Sequence, residues 1–178
     1  MKKELLKLIK KDAFFKKKVI LSSGKTSNFY IDIRKISLTP QGIYLISHLF
    51  YDIIENGSIT AIGGPTLGAD PIVSGVCFVA YEKKMPLKGF LIRKNPKKHG
   101  SQRMIEGHAL KRTDKVVIVD DVATSGGSLV KSIEVLRNEG IKVVKALTVI
   151  DRGEGAKVAL AKLDCPLISL FNRSDFST

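Results

Sequence analysis

The stretch Lys115-Val-Val-Ile-Val-Asp-Asp-Val-Ala-Thr-Ser-Gly-Gly-Ser128 combines residue types that can hold a sugar phosphate. Val116 to Val119 form an unbroken run of β-branched side chains, the pattern of a strand covered on both faces. Polarity changes abruptly at Asp120 and Asp121, where a strand would end. Leu129, Val130, Ile133 and Leu136 then recur at helical spacing as far as Gly140, a residue suited to a left-handed helix stop. The loop between strand and helix therefore lies at a helix N-terminus. There the backbone N–H groups of Thr124 to Ser128 and the hydroxyls of Thr124, Ser125 and Ser128 can converge on a phosphate, helped by the helix dipole. Gly126 and Gly127 let the backbone come close. Two carboxylates would repel that phosphate on contact, so Asp120 and Asp121 either accept hydrogen bonds from ribose hydroxyls or hold a hydrated Mg²⁺. Phosphate and diol together specify a ribose 5-phosphate. The stretch has neither the GxGxxG of dinucleotide folds nor the GxxxxGK[ST] of nucleotide triphosphate loops.

The elements that must position this loop can be read in chain order. Residues 2 to 11 place Leu5, Leu8 and Ile9 on one helical face among lysines, an amphipathic helix packed on the body or on a second subunit. From Val19 to Arg34, two short apolar runs separated by Ser, Gly and Asn predict a hairpin or hooked loop. Thr39-Pro40 supplies a cap and a first-turn proline for a helix running to Gly57. A strand over Ile59 to Ile62 leads into a second Gly-rich turn, Gly63-Gly-Pro-Thr-Leu-Gly-Ala-Asp70, a further candidate anion loop before another helix. Strands over 87–92, 143–150 and 167–170 and a helix over 156–163 complete the alternation. Together they predict an α/β fold, a mostly parallel sheet flanked by helices on both faces, forming one domain over residues 1–178.

Composition narrows the function classes. At 178 residues the chain suits one well-cored domain. No apolar run reaches membrane-spanning length and the basic N-terminus lacks the core of a signal peptide, so a cytoplasmic location is expected. Cys77 and Cys165 stand in apolar surroundings far apart, which predicts buried free thiols. His48, His99 and His108 show no metal-ligand spacing, so no structural zinc is expected. The net charge of +13, from 30 basic against 17 acidic side chains, favours polyanionic partners, whether nucleic acid or a substrate rich in phosphate. No helix-turn-helix pattern or separate basic domain favours the first.

Arg93-Lys-Asn-Pro-Lys-Lys-His-Gly100 opens a basic loop over 93–107 with no apolar periodicity to dock it. It should move when empty and order over an anion such as pyrophosphate, excluding water. Four segments now stand in sequence: Leu21-Ser-Ser-Gly-Lys-Thr-Ser-Asn-Phe-Tyr-Ile-Asp-Ile-Arg34, Gly63 to Pro71, the basic loop ending Ile105-Glu-Gly107, and the acidic-pair stretch, followed by Asp151-Arg152. This order resembles the orotate phosphoribosyltransferases, of the type I phosphoribosyltransferase fold, over almost the whole chain.

The resemblance implies transfer of the phosphoribosyl group of 5-phosphoribosyl 1-pyrophosphate to N1 of orotate, giving orotidine 5′-monophosphate and pyrophosphate in pyrimidine biosynthesis, with Mg²⁺ as cofactor. It implies that Arg93, Lys94, Lys97 and His99 contact the pyrophosphate, with Lys97 or His99 meeting charge on the leaving oxygens. Asp120 and Asp121 would hold the ribose hydroxyls with Mg²⁺ nearby, held mainly through substrate and water. The run Val122, Ala123, Thr124, Ser125, Gly126, Gly127 and Ser128 would close around the 5′-phosphate. Orotate would meet Lys25, Tyr30, Thr124 and Arg152, the last through its carboxylate. Residues 1–36 would form a small N-terminal hood, with a hook at 23–31 bounding the base. The family also implies a homodimer whose 93–107 loops serve the partner's site. Two departures stand out: Ser22 and Gly68, or its neighbours, occupy places where relatives carry lysine. Arg152 argues against a purine as the accepting base.

Overall fold

The computed structural model describes residues 1–16, 19–20, 26–27, 29–95 and 103–176. Leu5 and Ile9 fall on one stripe of helix α1 (Lys2–Asp12) and are fully buried in the main core, so this helix packs on the body of the molecule. Two antiparallel ribbons follow. Strand β1 (Phe14–Phe15) pairs with β4 (Tyr30–Ile31), and nested between them β2 (Val19–Ile20) pairs with β3 (Thr26–Ser27). The hook expected at this place is thus a hairpin within a hairpin. The single turn α2 (Arg34–Ser37), which buries Ile36, has no counterpart in the sequence reading, because four residues are too few to display a helical period. Thr39 Oγ1 accepts the Gly42 N–H at 3.1 Å and Pro40 takes the first helical position, so α3 (Pro40–Ile54) starts where its cap predicts.

The central sheet is built from β5 (Ala61–Pro65), β6 (Lys88–Ile92), β7 (Ile105–Gly107), β8 (Lys115–Ala123), β9 (Lys142–Asp151) and β10 (Leu167–Asn172). Its order is β10-β9-β8-β5-β6-β7, parallel throughout except for β7. Helices α4 (Ala69–Glu82), α5 (Gly127–Asn138) and α6 (Ala156–Ala161) make the crossovers, and a 3-10 turn (Arg173–Phe176) follows β10. On β8 the side chains alternate between two cores. Val117 and Val119 join the cluster under α1, α3 and α4, while Val116 and Ile118 join the one under α5 and α6. That double coverage explains the unbroken apolar run. No helix among the described residues is long and apolar enough to cross a membrane.

The sheet corrects the sequence reading at four places. Gly63, Gly64 and Pro65 belong to β5, not to the turn after it: a Cβ on Gly64 would overlap the Val119 carbonyl, so adjacent strands come too close there for side chains. Asp120 and Asp121 lie inside β8, which continues to Ala123. The end of the supposed 93–107 loop is the edge strand β7, with the Arg93 N–H donating to the Met104 carbonyl at 2.9 Å; its mixed polarity hid it, since an edge strand needs no apolar run. Cys165 is buried, but Cys77 is only half-buried on α4.

At the N-terminal ends of the strands, the buried Asp114 ties three of them together. Its carboxylate accepts bonds from Lys88 Nζ at 2.9 and 2.8 Å, Thr60 Oγ1 at 2.9 Å and the Lys111 N–H at 2.7 Å. Burial alone would raise the Asp114 carboxyl, but the Lys88 ammonium and the two further donors hold it below the ordinary carboxylate range. A depressed folded value contributes stability above the unfolded value and loses it as pH falls. Asp114→Asn should therefore lower unfolding free energy by about 2 kcal/mol at neutral pH. In denaturant melts that deficit should persist down to about pH 4 and shrink below it. A deficit independent of pH would remove the ion network from the stability of the sheet.

Candidate active site

Strands β5 and β8 are neighbours, yet the chain leaves β5 toward β6 and leaves β8 toward β9, in opposite directions across the sheet. The crevice outside their carboxyl ends is a topological switch point, where ligands of open parallel sheets bind. Two adjoining cavities occupy it. One, of about 590 Å³, is lined by Arg93, Lys94, Asn95, Met104 and the run Val122 to Leu129. The other, of about 640 Å³, is lined by Tyr30, Asp32, Arg34, the loop Pro65 to Gly68, Asp121 and Arg152. Pro65, Lys94, Asp120, Val122, Thr124 and Ser128 border both.

The first cavity ends on the N-terminus of α5. Gly126 caps that helix at φ +84°, and a Cβ there would lie 3.0 Å from Leu160 and 3.1 Å from Ala156, so both backbone and packing favour glycine. The first-turn amides beyond it have no intrahelical acceptor and lie where the cavity is lined, an arrangement suited to an anion.

Between the cavities sit the two acidic side chains. Asp120 Oδ1 accepts the Asp121 N–H at 2.9 Å and Asp121 Oδ1 accepts the Val122 N–H at 2.7 Å. Burial, and then repulsion from Asp121, pushes the Asp120 carboxyl well above the ordinary range, while Lys94 pulls the other way. Burial likewise raises Asp121, opposed by its bond from Val122. Both carboxylates are therefore short of partners for their ionised forms, which hydroxyl donors or a cation would supply. Two carboxylates beside a helix N-terminus suited to phosphate fit the habit of Mg²⁺, which completes its shell with substrate and water. No cluster of three or more acidic, His or Cys side chains stands among the described residues to form an all-protein cage.

At the far end of the second cavity, Arg152 follows β9 directly and is 3% exposed. Its N–H donates to the Ala123 carbonyl at 2.9 Å, its Nε to Glu154 at 3.2 Å and its Nη2 to the Phe29 carbonyl at 3.4 Å. The guanidinium lies over the Phe29 ring, 4.8 Å from its centre. Tyr30 stands half-exposed at the rim.

The structure thus gathers Tyr30, Arg93, Lys94, Asp120, Asp121, the run 122–128 and Arg152 around one crevice. Lys25, Lys97 and His99 lie outside the described residues, as does the tip of the basic loop whose motion the sequence suggests. Sequence reasoning gave no role to Asp32, Arg34, Phe29 or Glu154. Asp32 accepts Arg34 Nε at 2.8 Å and Nη2 at 3.2 Å, and that bond holds its carboxyl below the ordinary range. In sequence both fall at the end of the hook, and only their bidentate pairing beside the cavity marks them out.

Residues 33–171 match the family described as the phosphoribosyl transferase domain. The chain is 41% identical over 155 residues, 87% of its length and 84% of the relative's, to the orotate phosphoribosyltransferase of Aquifex aeolicus. The orotate phosphoribosyltransferase of Mycobacterium tuberculosis superposes with a TM-score of 0.85 at 30% identity, covering 99% of both chains. The same protein in complex with 5-phospho-alpha-D-ribosyl 1-diphosphate gives 0.80 at 28% identity, over 98% of this chain and 97% of that one.

Gly68 shows why no lysine stands at that place. A Cβ on it would lie 2.5 Å from Asp121 Oδ1 and 2.9 Å from Asp120 Oδ1. Gly68→Ala should turn the Asp121 carboxylate away from the crevice and cost one charge-assisted hydrogen bond to a bound sugar, roughly 1.5–3 kcal/mol. Calorimetric titration with ribose 5-phosphate should then show affinity about ten- to a hundredfold weaker. Parent-like affinity would detach Asp121 from the sugar.

Proposed function

The chain belongs to the orotate phosphoribosyltransferases of the phosphoribosyl transferase family, and from that premise we propose how its joined cavities work. The reaction transfers the phosphoribosyl group of 5-phosphoribosyl 1-pyrophosphate to N1 of orotate, releasing pyrophosphate and forming orotidine 5′-monophosphate, a step of pyrimidine biosynthesis. The observation that carries the site assignment is that a buried guanidinium, Arg152, shares a cavity with Asp121 while the α5 N-terminus opens on the adjoining one.

In this reading the 5′-phosphate rests on the amides and hydroxyls of Thr124 to Ser128. Asp120 and Asp121 accept bonds from the ribose 2- and 3-hydroxyls, which relieves the shortage that burial imposes on them. Orotate lies in the second cavity with its carboxylate on Arg152, where a planar fork matches a carboxylate, and with Tyr30 and Thr124 beside the ring. The diphosphate spans from the Pro65–Gly68 loop toward Arg93 and Lys94, and Lys97 and His99 complete that contact when the loop closes.

As the bond from the anomeric carbon to the diphosphate oxygen breaks, the sugar becomes cationic and the leaving group anionic. N1 of orotate, its proton passing to the departing diphosphate or to water, supplies the electron pair of the new bond. No nucleophilic side chain is needed: the work is to stabilise separated charge away from water. Asp120 and Asp121 lie on the cationic side and Lys94 with the basic loop on the anionic side. Mg²⁺, held mainly through substrate and water near Asp120 and Asp121, would neutralise part of the diphosphate charge. We place the reaction in the cytoplasm, where the free thiols of Cys77 and Cys165 stay reduced.

We further propose a homodimer in which the 93–107 loop of one protomer completes the site of the other. The likeness to relatives along nearly the whole chain supports this.

Incubated with the sugar donor and Mg²⁺, the protein should consume orotate and release pyrophosphate, whereas adenine or hypoxanthine should support no release. Release with a purine and none with orotate would move the assignment to another branch of the family. Mixing two inactive variants, Lys97→Ala and Asp121→Asn, should restore activity if sites are shared. Random exchange gives one intact site in half of the dimers, about a quarter of parent activity. No recovery after verified exchange would confine each loop to its own protomer.

A further inference from the structure

We propose that Glu154 is a positioning residue for orotate, its carboxylate fixing the Arg152 guanidinium in the orientation that receives the substrate's carboxylate. The inference deepens, and rests on, the assignment of Arg152 made above.

The backbone of Arg152 is anchored to the end of β8 through the Ala123 carbonyl, but a long side chain is not oriented by its backbone. Among the described residues, two groups on different elements meet its far end. Phe29, from the hook, offers its ring face and its carbonyl oxygen. Glu154 offers a carboxylate oxygen to Nε at 3.2 Å, with the two side chains 3% and 11% exposed. An arginine can present a carboxylate with either its Nε edge or its Nη end. With Glu154 on Nε, the incoming carboxylate meets the guanidinium at its Nη end, where Nη2 also donates to the Phe29 carbonyl, and the ring attached to it takes one place in the cavity.

The turn around Glu154 serves that placement. Gly153 and Gly155 adopt φ +70° and +114°, and a Cβ at either would meet nothing within 4 Å. Space does not demand glycine at these positions; the backbone path does. That path is pinned by the Gly153 N–H donating to Asp151 Oδ1 at 2.9 Å, and it carries residue 154 back to the side chain of residue 152. Glu154 Oε2 is buried and finds no hydrogen-bond partner among the described residues. A carboxylate held half-satisfied is unfavourable by itself, so its place is explained by what it does to Arg152.

Initial rates of Glu154→Ala, Glu154→Gln and Arg152→Ala, with orotate and the sugar donor varied separately, test the proposal alongside melting temperatures. Glu154→Ala should raise KM for orotate about tenfold or more, with KM for the donor within about twofold of the parent and an unchanged melting temperature. Glu154→Gln, which keeps an oxygen for Nε, should recover most of the orotate affinity. If Arg152→Ala weakens orotate and Glu154→Ala does not, Glu154 has no positioning role while the assignment of Arg152 stands. If Arg152→Ala leaves KM for orotate unchanged, that assignment fails and this inference with it. A Glu154→Ala protein with both KM values raised alike and a lowered melting temperature would make the residue merely structural, and a Gln variant no better than Ala would equally overturn the proposal.

Discussion

Two carboxylates held side by side and largely out of water, on a central strand of the sheet, set the terms for the rest of this site. Asp120 and Asp121 lie near the end of β8, between β5 and β9 and under helices on both faces. Their burial raises both carboxyls; the next backbone N–H opposes it at each, joined by Lys94 at Asp120 and by the Asp120 side chain and Arg34 at Asp121. In water the same pair would be indifferent to a sugar. In this crevice the ionised forms gain from any hydroxyl or cation that arrives, so the penalty that burial imposes becomes selectivity for a ligand that brings those groups. Gly68 belongs to the same constraint, because only a residue without a side chain lets the β5 loop close over Asp121.

Charge around the pair alternates in space. The α5 N-terminus, Arg93 and Lys94 lie on one side, the carboxylates between, and Arg152 at the other end. A ligand that matches must be anionic at both ends and rich in hydroxyls in the middle, which is the charge pattern of a phosphoribosyl donor beside a carboxylated base. The net charge of +13 conveys little of this. Many of the lysines are elsewhere, as on the solvent face of α1, where Lys2, Lys3, Lys7, Lys10 and Lys11 surround a buried Leu5 and Ile9.

What was legible in the sequence is what depends on local physics. The β8 run, the Thr39 cap and the Gly140 stop, at φ +75°, each reflect a rule that acts within a few residues, and each stands where it was read. Boundaries set by neighbouring strands were not legible. Gly63 and Gly64 looked like a turn because nothing local reveals that Phe90 and Val119 press on them from adjacent strands, and β7 exists only because β6 offers it an edge. The same holds within the site. Arg152 could be singled out as a guanidinium after a strand, but Glu154 and Phe29 gain meaning only through a turn with two left-handed glycines and a hook that returns across 123 residues.

The register of the sheet links the two halves of the reaction. Ala123 on β8 pairs with Asp151 on β9, so the residues that follow, Thr124 in the loop proposed for the phosphate and Arg152 in the cavity proposed for the base, leave from neighbouring strand ends spaced by roughly 4.8 Å. The bond from Arg152 back to the Ala123 carbonyl keeps them together beyond the last ladder pair. A shift of β9 by one residue would turn Asp151 and Arg152 to the opposite faces and separate the base pocket from the sugar, and the buried side chains of Leu147, Val149 and Ile150 hold the strand against that slip. In the proposed placement, the distance between donor and acceptor is thereby governed by strand pairing.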